Sequence, residues 1–232
     1  KLGWKLIKEF DAELTVVDNL MYNQVEVAGL YQEAWHDFYN LDVTDFDSVK
    51  HIYERGYDIV VPLSAIVGMP ACQKDIKRAW QVNYEAIRFL CDAVNKDAFL
   101  IFANTNSGYG VGDEELCTED SSLKPISEYG KSKCAAEQVV LERGNVIVGR
   151  LATIFGLNSH RHRLDLMVNT MVWEAVTTNK LVVFDPQYRR NFLHIDDLCD
   201  AFIHLIKNRN SLPHKVFNIG DDRLNATKEK MA

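Results

Sequence analysis

Tyr129 and Lys133 stand four positions apart in Tyr129-Gly130-Lys131-Ser132-Lys133. On a helix that spacing puts both side chains on one face, with Cβ atoms about 5–6 Å apart. An ammonium beside a phenol favours the phenolate and draws its pKa down from about 10. A tyrosine so tuned can exchange a proton with a hydroxyl or carbonyl near neutral pH. With nine tyrosines in the chain, one such spacing arises easily by chance. The alternative is a solvated Tyr–Lys pair on an exposed helix.

The surrounding sequence adds weight. The apolar run Ala98 to Ala103 reads as a strand, and it ends in Asn104-Thr105-Asn106-Ser107-Gly108-Tyr109-Gly110. A polar cluster at a strand's carboxyl end is where α/β proteins keep their sites. A hydroxyl there can hold a substrate oxygen beside Tyr129. The same residues also suit a simple polar turn. Asp18 closes the strand-like run Glu13 to Asp18. An acid there can accept from both hydroxyls of an adenosine ribose, or cap the next turn. Asp42 ends a second, weaker strand over Asp37 to Val43. It either faces an adenine amino group or caps the helix that starts near Phe46. Asn83 interrupts the apolar stripe of a long helix. It either braces the turn after Ala103 or is a satisfied core amide. His160 and His162 have metal-ligand spacing, but no nearby carboxylate or cysteine completes a site. With Arg161 and Arg163 beside them, a solvated or anion-contacting loop is the better reading.

These residues need a scaffold, and the hydrophobic pattern supplies one. Helices are expected over Leu2–Phe10, Phe46–Arg55, Asp75–Val94, Ser127–Glu142, Leu164–Thr178 and Asp196–Lys207. Strands are expected over Glu13–Asp18, Asp37–Val43, Asp58–Leu63, Ala98–Ala103, Asn145–Leu151, Leu181–Phe184 and Val216–Ile219. Near-continuous apolar strands alternating with helices indicate an α/β fold, a doubly wound parallel sheet covered on both faces. The pattern loosens after Gly156. Residues 1–156 are therefore expected to form a Rossmann-like domain. Residues 157–232 are expected to form a smaller C-terminal lobe, interleaved with the last strands of the sheet. A helix precedes the first strand, as in a doubly wound fold whose leading strand and glycine turn are missing. Asn225 to Lys230 looks like a helix just beginning.

Composition narrows the classes. The chain has 232 residues, ordinary apolar content and a net charge of −7. With no basic excess, nucleic-acid binding is disfavoured. No apolar run reaches the roughly 20 residues of a membrane span. The five cysteines, Cys72, Cys91, Cys117, Cys134 and Cys199, are odd in number and show no C-x-x-C spacing. Reduced thiols in a cytoplasmic protein are expected, with no metal site.

Taken in order, these segments resemble the extended short-chain dehydrogenase/reductases, the NAD-dependent epimerase/dehydratase family acting on nucleotide sugars. The resemblance runs from Val17-Asp18-Asn19 through Leu41-Asp42-Val43, Leu63-Ser64-Ala65, Asn83 and Thr105–Gly110. It continues through Tyr129–Lys133, Arg150–Gly156, Arg190–Asp197 and Phe217–Gly220. It implies NAD as cofactor. Asp18 and Asn19 would hold the adenosine ribose, Asp42 and Val43 the adenine, and Leu63 and Ser64 the cofactor path, with Asn83 beside them. Tyr129 would be the catalytic acid/base, Lys133 its tuner and the ligand of the nicotinamide ribose, and Thr105 the catalytic hydroxyl. Asn106, Ser107, Asn169 and Arg190 would meet the substrate, Arg190 through the diphosphate. A homodimer is also implied.

Two departures refine this. No G-x-x-G-x-x-G occurs among the twelve glycines, and Gly108-Tyr109-Gly110-Val111-Gly112 lies too late in the chain. The chain reads as beginning just after that fingerprint, so weak NAD binding is expected of these residues alone. The family's 4,6-dehydratases place Asp-Glu directly after the catalytic threonine, whereas Asn106 and Ser107 follow Thr105 here. That disfavours dehydration and leaves oxidation at C4, with or without epimerisation. The segments Asn104–Gly110, Arg163–Asn169 and Arg189–Phe192 further resemble the bacterial GDP-manno-heptose 4-dehydrogenase group. A GDP- or UDP-linked sugar, as a surface-polysaccharide precursor, is the implied substrate.

Overall fold

A computed structural model describes residues 1–22, 37–110, 116–157 and 163–232. Its core is a four-stranded parallel sheet of β3 (Ile59–Val60), β4 (Phe99–Thr105), β5 (Val146–Leu151) and β8 (Val216–Ile219), in the order β3-β4-β5-β8. Beside it β1 (Thr15–Val17) pairs in parallel with β2 (Asp37–Tyr39). A smaller sheet joins β6 (Thr153–Phe155), β7 (Arg189–His194) and β9 (Asn225–Thr227), with β6 parallel and β9 antiparallel to β7.

Strand alternation sends neighbouring residues to opposite faces, so each face collects its own apolar set. Leu100, Phe102, Val146 and Val148 meet α2 (Phe46–Tyr53), α5 (Ala86–Ala93) and α6 (Glu128–Arg143) on one side. Phe99, Ile101, Ile147 and Ile219 meet α1 (Leu2–Phe10) and α8 (Ile195–Asn208) on the other. Both faces are covered, as near-continuous apolar strands require. Charged pairs tie α1 along α8, with Lys1 on Asp196, Lys5 on Asp200 and Glu9 on Lys207.

Three expectations change. Asp75–Val94 is not one regular helix. It is α4 (Ile76–Trp80), a π-helical turn (Gln81–Glu85) and α5, preceded by α3 (Met69–Lys74). Leu181–Phe184 forms no strand, and Val182 and Phe184 are exposed. A short apolar run without a neighbouring edge to pair with has nowhere to place its backbone hydrogen bonds in a ladder. Asn225–Lys230 divides into β9 and the single turn α9 (Lys228–Met231), after the bonds of β9 to β7. The remaining helix of the smaller lobe is α7 (Met167–Thr178).

Candidate active site

The polar turn after β4 and the first turn of α6 are pressed together. Ser127 caps α6 by accepting the Gly130 N–H at 3.1 Å, and Glu128 places an acid in the first turn, where the helix dipole favours it. Trp80 of α4 donates to Glu128 at 3.0 Å and so fixes where α6 begins. A Cβ on Gly130 would lie 3.1 Å from the Ser107 carbonyl, and one on Gly108 would lie 2.7 Å from Cys134 Sγ. Small residues at these two places let the turn and the helix approach closely. The result sets the Thr105 hydroxyl close to the Tyr129 phenol, whose ionisation it favours.

Thr105 is itself fixed. Its Oγ1 accepts the Ser107 N–H at 3.1 Å and lies 3.1 Å from the Ser107 hydroxyl, to which it donates. Asn106 and Ser107 open the 3-10 turn (Asn106–Tyr109) that follows. Burial pushes the Tyr129 phenol up to about 12, against the neighbouring Thr105 hydroxyl and the positive field of Arg163. Lys133 lies one helical turn further on. It is buried, its Nζ sits 4.0 Å from the centre of the Phe102 ring, and burial lowers it to about 7. This corrects the expected tuning of Tyr129. The cation whose field lowers the phenol is Arg163, because a lysine so desolvated holds only part of its charge at neutral pH.

A cavity of about 490 Å³ opens beside this cluster. Asp18, Asn19, Asp42, Val43, Leu63 and Ser64 all line it, so six of the expected cofactor residues come together from segments far apart in sequence. They follow β1, β2 and β3, at the carboxyl ends of parallel strands. Ile66 and Val82 belong both to the cavity wall and to the apolar group that packs against Tyr129. Arg163 also lines it, forked onto Asp165 with two contacts of 2.8 Å.

The acids at the strand ends are held in place. Asp18 accepts the Leu20 N–H at 2.7 Å, and Asn19 accepts the Met21 N–H at 3.1 Å. Asp45, not Asp42, caps α2, accepting the Ser48 N–H at 3.3 Å. Asp42 instead takes the Thr44 N–H at 2.9 Å, the Thr44 hydroxyl at 2.6 Å, the Asn19 amide at 3.0 Å and the Arg78 guanidinium. Burial opposes its ionisation, yet these donors outweigh it and hold the carboxyl at about 2. Arg78, which also donates to Thr44 at 2.5 Å, was not foreseen from sequence.

Asn83 is the satisfied core amide of its two sequence readings, and it stands outside the cavity where a cofactor residue was expected. It is fully buried in the π-helical turn. Its Oδ1 accepts the Ile66 N–H at 2.8 Å, and its Nδ2 donates to Ile66 O at 3.0 Å and Ser132 Oγ at 3.2 Å. It braces the loop after β3 against α6, not the turn after Ala103. The lengthened helical turn is the local device that aims it. Asn169 likewise spans Gly156, accepting its N–H at 3.2 Å and donating to its carbonyl at 3.3 Å. Arg190 is exposed on β7, donates to the Arg189 carbonyl at 3.2 Å, and stands outside the cavity. His160, Arg161 and His162 lie outside the described residues. Among the described residues no group of His, Cys, Asp and Glu has the makings of a metal site.

A sequence model of the NAD dependent epimerase/dehydratase family matches residues 4–220. The chain belongs to that family. A UDP-glucose 4-epimerase of Lactobacillus helveticus is 26% identical over 210 residues, covering 79% of this chain and 62% of that protein. The structure of the UDP-Glc/GlcNAc 4-epimerase from the human pathogen Campylobacter jejuni superposes with a TM-score of 0.81 at 20% identity, over 99% of this chain and 77% of that one. A UDP-glucuronic acid 4-epimerase from Bacillus cereus, solved in complex with UDP-glucuronic acid and NAD, gives 0.77 at 22% identity, over 95% and 73%. These likenesses show a Rossmann-like α/β fold. The chain spans 54% and 62% of two of the curated relatives it matches, about half to two thirds of their length. Among the described residues no helix is long and apolar enough to cross a membrane.

Proposed function

We propose that this epimerase/dehydratase-family chain carries the NAD-binding and catalytic part of an oxidoreductase acting on the C4 hydroxyl of a nucleotide-linked sugar. One observation carries the reading: Tyr129, set beside the Thr105 hydroxyl at the end of β4, packs on Ile66 and Val82, which also wall the cavity. The cavity's donor set fits a dinucleotide. It offers an acid at the end of β1 for ribose hydroxyls, apolar Leu63, Ile66 and Val67 for ring faces, and Lys74 and Arg163 as positive charge. Held there by Asp18, Asn19, Leu63 and Ser64, NAD would supply the hydride acceptor for the sugar carbon.

This chain's residues do the rest. Thr105 holds the sugar oxygen, and Tyr129 takes its proton. A phenol at about 12 is a poor proton acceptor near neutrality, so the reaction requires positive charge beside it. Arg163 at the cavity wall supplies that charge, and Lys133 on the same helix adds only the part it retains near neutrality. Arg190, exposed on β7, offers a forked donor for a diphosphate. Asn106 and Ser107 complete the floor next to Thr105, and Asn169 steadies the loop after β6. Residues 1–156 form the dinucleotide half and 157–232 part of the sugar-nucleotide lobe. The two halves are interleaved, since β8 joins the main sheet and β6 the small one. The finer reading is a GDP-heptose 4-dehydrogenase working as a cytoplasmic homodimer; the resemblance at Asn104–Gly110 and Arg163–Asn169 supports the substrate. The second reading is a 4-epimerase, favoured by the names of the relatives.

The test gives the full-length protein NAD with GDP-manno-heptose, GDP-mannose and UDP-hexoses in turn. Reduced-nicotinamide absorbance and a product two hydrogens lighter identify a 4-dehydrogenase. Unchanged mass with inverted C4 identifies an epimerase. Dinucleotide binding without turnover of any sugar nucleotide counts against both.

A further inference from the structure

The ladder of β4 with β5 fixes the backbone of Thr105, but not its hydroxyl. That is aimed by the Ser107 N–H, two residues into the turn that follows. The direction of Thr105 Oγ1 therefore depends on where the turn stands. The Gly110 N–H reaches the Ser107 carbonyl at 3.3 Å, but this bond moves with the turn. What holds the far end lies outside it. The Gly108 carbonyl accepts the Lys124 N–H at 2.9 Å, and Gly110, at φ +75°, passes so close that a Cβ would meet the Lys124 carbonyl. The other tie is Tyr109. It is buried and does not line the cavity. Its hydroxyl accepts from Arg150 Nη1 at 2.9 Å and donates to Asn218 Oδ1 at 2.6 Å. Both partners are anchored. Arg150 is gripped by Glu137 through Nε and Nη2. Asn218 of β8 gives its N–H to Glu119 at 2.7 Å and its Nδ2 to the Cys117 carbonyl at 3.2 Å. Glu137 stands on α6, the helix that carries Tyr129. A chain of bonds thus runs from the Thr105 turn through Tyr109, Arg150 and Glu137 to the helix of Tyr129. A phenylalanine at 109 would fill the same space; only the hydroxyl ties the turn to that chain.

We infer that Tyr109 is a positioning residue for the proton transfer: its hydroxyl, held between Arg150 and Asn218, fixes the far end of the turn whose Ser107 N–H aims the Thr105 hydroxyl beside Tyr129. This rests on the roles proposed above for Thr105 and Tyr129. It assigns Tyr109 no contact with either ligand, so its effect belongs in the rate of the chemical step and must pass through Thr105.

The experiment is a double-mutant cycle on kcat in the full-length protein, with NAD and whichever of the sugar nucleotides named above it turns over. Tyr109→Phe should lower kcat by at least about tenfold, since a misplacement of about 1 Å suffices for a loss of that size. KM for both ligands should change less than about threefold. In a Thr105→Ala background the same substitution should change kcat less than about twofold, because no hydroxyl remains to be aimed. Asn218→Ala takes away the acceptor from the other side of the bond. It should lower kcat in the same sense, and that loss should also vanish in Thr105→Ala. This second cycle decides if Tyr109→Phe does not fold. Rates are read well below the thermal midpoint of each variant, so lost fold is not counted as lost rate. Undiminished kcat in Tyr109→Phe would overturn the inference, as would a loss confined to KM. So would an equal loss of kcat with and without the Thr105 hydroxyl, which is what a purely structural tyrosine gives. If Thr105→Ala turned over as fast as the unsubstituted protein, the reading of Thr105 itself would fall, and this inference with it.

Discussion

Helix α6 turns two sets of ionisable side chains inward, Tyr129 half-buried and Lys133 and Glu137 buried, and they are treated in opposite ways. Towards its start lie Tyr129 and Lys133. Tyr129 has Thr105, and the Lys133 ammonium has the face of Phe102. Both groups are pushed towards their neutral forms. One turn beyond Lys133, Glu137 is fully buried and receives the guanidinium of Arg150 through Nε at 3.1 Å and Nη2 at 2.6 Å. Arg150 also donates to the Tyr109 hydroxyl and the Glu119 carbonyl, each at 2.9 Å. Asn104 adds a donor to Glu137, and Tyr109 donates to Asn218 of β8 at 2.6 Å. These partners keep Arg150 well above its ordinary range despite burial. A saturated buried pair joins β4, α6, β5 and β8 and serves the fold. The sparsely partnered set keeps unused hydrogen-bonding capacity, at a cost in stability.

That contrast can be broken at either end. The largest effect is expected from removing one member of the saturated pair. Arg150→Met or Glu137→Leu alone should cost about 3–5 kcal/mol in urea unfolding, because each leaves a buried charge without its partner. The double substitution should cost much less than the sum. Strictly additive losses would show that the pair is not coupled.

Lys133→Met should act in the other direction. Lys133 is depressed from its ordinary 10.5 to about 7, so between those values the unfolded chain binds the extra proton. Stability should therefore rise with pH from about 7 to 10.5. The methionine variant should lose that rise and gain on the order of 2–4 kcal/mol at pH 6. It should also lose turnover. An unchanged pH profile of stability would mean that Lys133 is not desolvated.

Asn83→Ala removes three buried hydrogen bonds and should cost about 1–3 kcal/mol, since it leaves the Ile66 backbone groups unsatisfied. Its activity should fall through a raised NAD KM, because Ile66 lines the cavity. The smallest effect belongs to the exposed pair Lys1–Asp196 between α1 and α8. Lys1→Ala should change stability by less than about 1 kcal/mol, and salt should erase the difference.

How much of this was legible in the sequence divides along the same line. Apolar periodicity marked β4, β5, α2, α6 and α8 because packing on a two-faced sheet repeats at fixed intervals. Leu181–Phe184 depends on whether a neighbour lies alongside, which no local pattern encodes, and the same dependence trims the expected Asp58–Leu63 to the two residues of β3. Tyr129, Lys133 and Thr105 were legible as a constellation at a strand end. The bracing role of Asn83 was not, because it depends on a lengthened helical turn that propensity does not signal. The Glu137–Arg150 pair does leave a sign in the sequence. Arg150 shares a strand face with Val146 and Val148, and an inward arginine requires an inward acid. Arg78 gave no such sign, since its partners lie 34 and 36 positions away.

The most direct test of the account is Tyr129→Phe in the full-length protein, with NAD and the sugar nucleotide it turns over. The substitution removes one hydroxyl from a position that otherwise keeps its packing. Turnover should fall by at least about a hundredfold, as expected for loss of a positioned acid/base, while calorimetric affinity for both ligands changes less than about threefold. Turnover near that of the unsubstituted protein would contradict the assignment of Tyr129 as the group that moves the proton.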